Sequence, residues 1–246
     1  FAQAHTKIGY HSQTFATFPS QIVGGPTWMQ ARISTSEIRS RGDELDVLVA
    51  FNKEAYDKHK AEVGEHGVVI YHSGEFTLED DSRSLGLPLT TLAKSTGNPR
   101  SANFVVMGAL AQLANIPISV FEDFNKTKFS RGRDGDDHII ESNNTALRLG
   151  MEEAAKSNFS LGQLSDPIKP DWEQILVNGN EAISLGAYAA GLEFYVGYPI
   201  SPASTILMWM QSNLVGPGKF AFQASSEIES IASVIGAGYA GTKAMT

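Results

Sequence analysis

The chain predicts an α/β fold built on parallel sheets, and three observations carry that expectation. Short continuous apolar runs recur, as in DVLVAF (46–51) and GVVIYHS (67–73), the pattern of strands buried on both faces. Segments with helical spacing and cap residues alternate with them, such as Asn52 ahead of Glu54, Tyr56 and Lys60. The alternation then starts again beyond an aperiodic stretch that holds Pro167, Pro170, Gly and Ser. The chain therefore reads as two α/β units, 1–157 and 174–246, joined by a linker at 158–173.

In chain order, FAQAHTKIGY reads as the interior of a helix. Gln13–Phe18 is strand-prone, and Trp28–Ser34 alternates, with Met29, Ala31 and Ile33 on one face and Gln30 and Arg32 on the other. PSQIVGGPT between them is a loop by its Pro and Gly content. The strand at 46–51, the helix capped by Asn52 and the strand at 67–73 follow in βαβ order. LEDDSRS reads as a polar loop and LPLTTLAKS as a short element. Residues 101–116 form a helix rich in small residues, and a second helix starts at Pro117. SRGRDGDD is a solvated turn, followed by a helix from HIIES onward. After the linker come a helix from about Gly179, the strand LEFYVGYP, the helix STILMWMQSN, the strand KFAFQA and the helix SSEIESIASVIGAGYAGT. The chain ends where that helix hands over to a strand. It reads as a fragment, and it carries no information on targeting signals upstream.

The 246 residues are 42% hydrophobic and 19% charged, the composition of a globular protein. No apolar run approaches the roughly 18 residues of a membrane span. The formal charge of -8 argues against nucleic acid, which wants a basic face. There is no cysteine, which excludes disulfides, thiolate nucleophiles and cysteine-ligated clusters within this chain. The histidines form no H-x-x-x-H or H-E-x-x-H, so no metal site is expected. There is also no Walker loop, G-x-G-x-x-G or nucleophile elbow.

Three segments could carry chemistry. GYPISPAS (197–204) follows a strand, where ligands of open parallel sheets sit. Each of its prolines fixes its own φ and restrains the residue before it, so Ser201 has few backbone alternatives. The plainer account is a stiffened turn with a hydroxyl cap for the next helix. In SSEIESIASVIGAGYAG, Ser225 or Ser226 can cap a helix whose first turn holds Glu227, with Glu229 just after it. Acids there complement the helix dipole. The small residues that follow allow close approach, so the helix is expected to be buried or at a tight interface, with a partly desolvated carboxylate at its mouth. In PSQIVGGPTW, Gly24 and Gly25 let a ligand approach the backbone, or simply connect two strands.

Taken together, these segments resemble the 2-oxoacid:ferredoxin oxidoreductases, especially the 2-oxoglutarate type. GYPISPAS is similar to the Tyr-Pro-Ile-Thr-Pro signature of the thiamine pyrimidine-binding (alpha) domain. QASSEIESIASVIGAGYAGTKAMT resembles the segment that follows it, usually Glu-Asp-Glu-Ile and a small-residue helix. PSQIVGGPTWMQARIS resembles the loop and strand of the gamma domain. The likeness covers most of the chain, in the order gamma then alpha. Ser201 stands where the family usually has Thr, and Ser225 and Ser226 where it usually has an acidic pair.

The resemblance implies a parallel-sheet gamma domain followed by the start of a pyrimidine-binding domain. It implies Glu227 and Ser201 as catalytic, with Tyr198, Pro199, Ile200, Ser201, Pro202 and Glu227 at the cofactor. Ser201, Ser204, Ser20, Gly24, Gly25, Pro26 and Thr27 fall on the substrate side. Thiamine diphosphate carries the carbanion chemistry, and the glutamate beside the pyrimidine nitrogen favours the tautomer that removes the thiazolium proton. CO2 leaves, CoA takes the acyl group, and electrons pass to a cluster and on to ferredoxin. The diphosphate, Mg2+ and a [4Fe-4S] cluster belong to a beta subunit, in a dimer of heterodimers in the cytoplasm. The substrate is 2-oxoglutarate, with pyruvate or a branched-chain 2-oxoacid as alternatives. Arg32, Lys94 and Arg100 are candidates for its distal carboxylate by charge alone. A Rossmann-like binding subunit without a redox role and a purely structural subunit are the competing readings.

Overall fold

A computed structural model gives the structure of the protein and describes residues 1–17, 25–79 and 83–246. The chain divides into two compact units, Phe1–Leu176 and Val177–Thr246.

The first unit opens with α1 (Ala2–Lys7) and a ribbon, β1 (His11–Thr17) and β2 (Trp28–Ser34). The ribbon is antiparallel, with His11 opposite Ser34 and Thr17 opposite Trp28. Neither strand holds a fully buried residue, and Met29 and Ala31 of the alternating apolar set on β2 are exposed. Trp28 closes its ring against His59, and the Lys58 ammonium lies 4.0 Å from the Trp28 ring centre.

Next come β3 (Leu45–Ala50), α2 (Lys53–His59), β4 (Val63–His72) and β5 (Ser84–Leu87), with a 3-10 turn at Lys60–Glu62. Asn52 caps α2, its side-chain oxygen accepting from Ala55 N–H at 2.8 Å. The three strands form a parallel sheet in the order β3-β4-β5. The central β4 buries Gly67 to His72 without interruption, as its apolar run requires. Ile70 joins Leu85, Leu87, Val105, Val106 and Ala109 in one core; Val69 and Tyr71 join Leu48 and Ala50 in another. Successive residues of β4 thus enter two cores, as side chains do on the two faces of a strand. β5, only four residues long and carrying Gly86, gave no strand signal in the sequence.

Helices α3 (Leu89–Ser95), α4 (Ala102–Leu113), α5 (Ser119–Phe129) and α6 (Asp136–Ala155) complete this unit. α4 and α6 pack most intimately. A Cβ on Gly108 would enter the Leu147 carbonyl, and one on Gly150 the Val105 carbonyl. The small residues read from 101–116 are thus the contact itself. The turn before α6 is less solvated than its charges suggested. Asp136 is buried, and its carboxylate accepts from Arg131 N–H (2.6 Å) and Arg133 N–H (3.1 Å). The Arg133 and Arg131 N–H groups hold its pKa below the usual carboxylate range, with the Arg131 guanidinium adding to them. Beyond α6 the chain has no regular element until residue 179, yet it stays attached: Tyr10 donates to Ser165 O, and Phe159 and Leu161 pack on the core.

The second unit runs α7 (Gly179–Ala189), β6 (Phe194–Gly197), α8 (Ser204–Asn213), β7 (Phe220–Gln223), α9 (Glu227–Tyr239) and β8 (Ala244–Met245). Asn178 and Glu181 form a reciprocal capping box at the start of α7. The sheet is parallel, order β7-β6-β8. Its core is Leu192, Tyr195, Ile206, Leu207, Met210 and Leu214. So Met210, fully buried, and the half-buried Trp209 of STILMWMQ are packing residues, while Met208 is 64% exposed, contrary to the expectation that this whole run is core. Among the described residues, no helix is long and apolar enough to cross a membrane.

Candidate functional site

β6 and β7 are neighbours, aligned so that Gly197 sits opposite Gln223. Ala224 N–H donates to Gly197 O at 3.0 Å, one step past the last rung. The segments leaving the two strands, Tyr198–Ser204 and Ala224–Glu229, therefore start side by side at the carboxyl edge of one parallel sheet. That edge is where this architecture binds ligands.

The first segment is shaped by its prolines. Pro199 and Pro202 have no N–H, so neither can continue a ladder or open a helix bond. The turn closes through Ile200 N–H to Tyr198 O and Ser204 N–H to Ile200 O, both 2.9 Å. The Ser201–Pro202 bond is cis. Ser201 is exposed, Tyr198 and Ser204 are half-buried, and Ser204 opens α8. Neither the Ser201 hydroxyl nor its neighbours Pro199 and Ile200 are covered.

In the second segment the two first-turn acids differ. Ser226 caps α9, accepting from Glu229 N–H at 3.1 Å. The Glu229 carboxylate in turn accepts from the Ser225 hydroxyl and the Ser225 N–H, each at 2.6 Å. Those bonds, the hydroxyl first, hold Glu229 below the usual carboxylate range. The Glu227 carboxylate makes no hydrogen bond to any described residue. It is exposed rather than desolvated, and α9 is mostly open to solvent, with Ile228 80% and Tyr239 91% exposed. Ser226 and Ser225 are thus occupied in holding the cap and Glu229.

The structure brings together Tyr198, Pro199, Ile200, Ser201, Pro202, Ser204 and Glu227 at one sheet edge. Gly25, Pro26 and Thr27 belong to the other unit, in the approach to β2. Ser20 and Gly24 lie outside the described residues. One residue at the edge was missed by sequence reasoning. Asn180, in the first turn of α7, donates its side-chain amide to Pro202 O and to Thr205 Oγ1, both at 2.8 Å. Nothing local signals a bond that spans 22 residues.

Residues 185–246 match the family model described as "Pyruvate flavodoxin/ferredoxin oxidoreductase, thiamine diP-bdg", which covers both segments leaving the strands but not Asn180. Residues 1–153, more than half of the chain, match the model "Pyruvate ferredoxin/flavodoxin oxidoreductase". The chain belongs to the pyruvate ferredoxin/flavodoxin oxidoreductase family. Among its relatives in that family, the 2-oxoglutarate oxidoreductase subunit KorA of Mycobacterium tuberculosis is 28% identical over 265 residues, covering 93% of this chain and 39% of the relative. The ketoisovalerate oxidoreductase subunit VorA of Methanothermobacter marburgensis is 30% identical over 161 residues, 63% of this chain and 33% of the relative. A solved 2-oxoglutarate:ferredoxin oxidoreductase from Magnetococcus marinus, with 2-oxoglutarate, coenzyme A and succinyl-CoA bound, superimposes with a TM-score of 0.85 at 33% identity, over 100% of this chain and 43% of its own. The gamma subunit of a keto/oxoacid ferredoxin oxidoreductase from Geobacter sulfurreducens shares the fold, with a TM-score of 0.52 at 23% identity over 63% of this chain and 86% of its own. The chain spans between a third and a half of the length of the first three of these family members.

Proposed function

We propose that this chain is the gamma–alpha polypeptide of a thiamine diphosphate-dependent 2-oxoacid:ferredoxin oxidoreductase. The enzyme decarboxylates 2-oxoglutarate oxidatively, with CoA, to succinyl-CoA and CO2, and two electrons pass to ferredoxin. Residues 1–157 form the gamma-type part, 158–173 the connection and 174–246 the start of the pyrimidine-binding part. The observation that carries the reading is the sheet edge. There a stiffened turn with an open hydroxyl starts beside a first-turn carboxylate that makes no hydrogen bond to any described residue.

Those residues fit an aminopyrimidine. Its ring nitrogens need a hydrogen-bonding partner, and Glu227 is the acid whose bonding capacity is unspent, while Glu229 is committed to Ser225. When bound, the cofactor supplies the nucleophilic carbon and the electron sink for decarboxylation. Glu227 shares a proton with the pyrimidine nitrogen, which is general acid–base work by a positioned carboxyl. Tyr198, Pro199, Ile200 and Pro202 form a wall that cannot collapse when the ligand leaves. Ser201 and Ser204 present hydroxyls to the substrate, and Ser20, Gly24, Gly25, Pro26 and Thr27 are assigned to substrate binding on the resemblance of their segment alone. A chain without cysteine leaves the iron–sulfur cluster to a beta subunit. That partner also holds Mg2+ and the diphosphate, in a cytoplasmic dimer of heterodimers.

The likeness to a 2-oxoglutarate enzyme over the full chain favours that substrate. The ketoisovalerate relative supports a second reading, a branched-chain 2-oxoacid. The complete complex, assayed with 2-oxoglutarate, pyruvate and 2-oxoisovalerate plus CoA and an artificial acceptor, should turn over 2-oxoglutarate fastest. Glu227→Gln in that complex should lower turnover by about 10²–10⁴-fold with assembly intact. Wild-type turnover in this variant would overturn the assignment.

A further inference from the structure

We infer that Asn180 is a positioning residue for the Ser201 hydroxyl, acting through the far end of the proline turn. The inference rests on the placement of Ser201 in the site proposed above.

The turn has two ends. Its upstream end is fixed by the sheet: Gly197 closes β6 opposite Gln223, and its carbonyl accepts from Ala224 N–H. Its downstream end runs into α8 and is closed by Ser204 N–H to Ile200 O, but Pro202, between them, breaks the hydrogen bonding of the chain. Pro202 offers no N–H. Its carbonyl is passed over by α8 as well, since Ile206 N–H bonds Ala203 O, 2.9 Å away, in its place. A carbonyl left in that state is satisfied by water or by a side chain, and only the side chain fixes its position.

Asn180 holds it. Its Nδ2 group lies 2.8 Å from Pro202 O and 2.8 Å from Thr205 Oγ1. A carbonyl oxygen can only accept, so the amide orientation follows from chemistry: both Nδ2 hydrogens are spent on the turn and the first turn of α8. Ser201 sits between the two anchors, one residue from the carbonyl that Asn180 grips. The sheet holds one end of this segment and α8 the other; Asn180 adds a side-chain grip on the residue next to Ser201.

Asn180 has no other task in the fold that the neighbouring residues do not already perform. The cap of α7 is made by Asn178 and Glu181. The core of this unit contains neither Asn180 nor its two acceptors. One of its bonds serves the turn and the other ties α7 to α8, so its loss should be felt in the chemistry more than in folding. A displacement of about 1 Å at a reacting group can cost on the order of 10²-fold in rate.

The test uses the complete complex and four variants: Asn180→Ala, Asn180→Asp, Ser201→Ala and the Asn180→Ala/Ser201→Ala pair. Asn180→Asp keeps the side-chain shape but removes both donors and sets a carboxylate against the Pro202 carbonyl. Turnover, bound thiamine diphosphate per complex and the unfolding midpoint are measured for each. Asn180→Ala and Asn180→Asp should both lower kcat by about ten- to a hundred-fold. KM for the 2-oxoacid, cofactor content and midpoint should stay near wild type. The double variant should be no slower than Ser201→Ala alone, because both changes remove one and the same function.

Multiplicative losses in the double variant would overturn the proposal, since Asn180 would then act elsewhere. So would wild-type kcat in Asn180→Asp, or a loss of rate that tracks loss of cofactor or assembly. Ser201→Ala at wild-type rate defeats the site assignment on which the inference rests. Ser201→Ala slow, with Asn180→Ala at wild-type rate, defeats the positioning role alone.

Discussion

On α4 and α6 of the first unit, Gly108 and Gly150 each face the carbonyl of the opposite helix, and no side chain fits. On α9 of the second unit, a methyl group placed on Gly236 or Gly238 would meet nothing within 4 Å. The same residue type serves two ends. In the first unit small residues are consumed by internal packing, and that unit closes its own core. In the second they leave a helix face open, flanked by exposed Ile228, Ile231, Ile235 and Tyr239, and the candidate site opens at the mouth of the same helix. One unit spends its close approaches on stability, and the other keeps its approachable surface beside the place where chemistry is proposed.

The contrast can be broken most directly at Gly108. Gly108→Ala should cost about 3 kcal/mol of stability, because helix backbones must separate to admit the methyl group. Chemical denaturation reads this, and a change under about 0.5 kcal/mol, the noise of a surface substitution, would end the claim of helix contact.

A second probe is pH. His5 is wholly buried among Phe1, Tyr10 and Phe121, with Nδ1 on Phe1 O. Burial lowers its pKa below the ordinary histidine value, and the Phe1 carbonyl only partly opposes this. The unfolded chain therefore takes up a proton that the folded unit refuses. The stability that neutral His5 contributes is present above about pH 6.5 and falls as the pH drops towards the lowered folded value. His5→Phe should flatten that part of the stability–pH curve for the first unit; an unchanged slope would remove His5 as the cause.

The smallest expected effect has the opposite sign. Gly236→Ala should stabilise this chain by about 0.5–1 kcal/mol through helix propensity, since the added methyl group meets nothing. Destabilisation there would show that α9 is packed more tightly than its exposure indicates.

Much of this was legible beforehand. The runs at 46–51 and 67–73 announced buried strands because parallel strands need apolar residues on both faces. Asn52 announced a helix because an unsatisfied N–H needs an acceptor. The two loops at the sheet edge were marked by prolines and by first-turn acids. What escaped was set by tertiary partners. β5 and β8, of four and two residues, are strands only because β4 and β6 lie beside them. The antiparallel pairing of β1 with β2 follows from register, which alternation does not encode. Glu227 and Glu229 look equivalent in sequence; only the bonds from Ser225 to Glu229 tell them apart. Asn180 was silent because its bonds join segments distant in the chain.

The rung between Gly197 and Gln223 has a consequence for variation in length. The spacing between the turn and the mouth of α9 is measured across the sheet, strand to strand, and not along the polypeptide that joins them. That polypeptide runs through α8 and the stretch Leu214–Lys219, with Gly216 and Gly218 at positive φ. Residues added or removed at Val215–Lys219, beyond the core residue Leu214, leave the spacing untouched. A single residue added inside β6 or β7 shifts the rung and turns every following side chain to the other face. Length is free in the short stretch after α8 and forbidden in eight residues of strand.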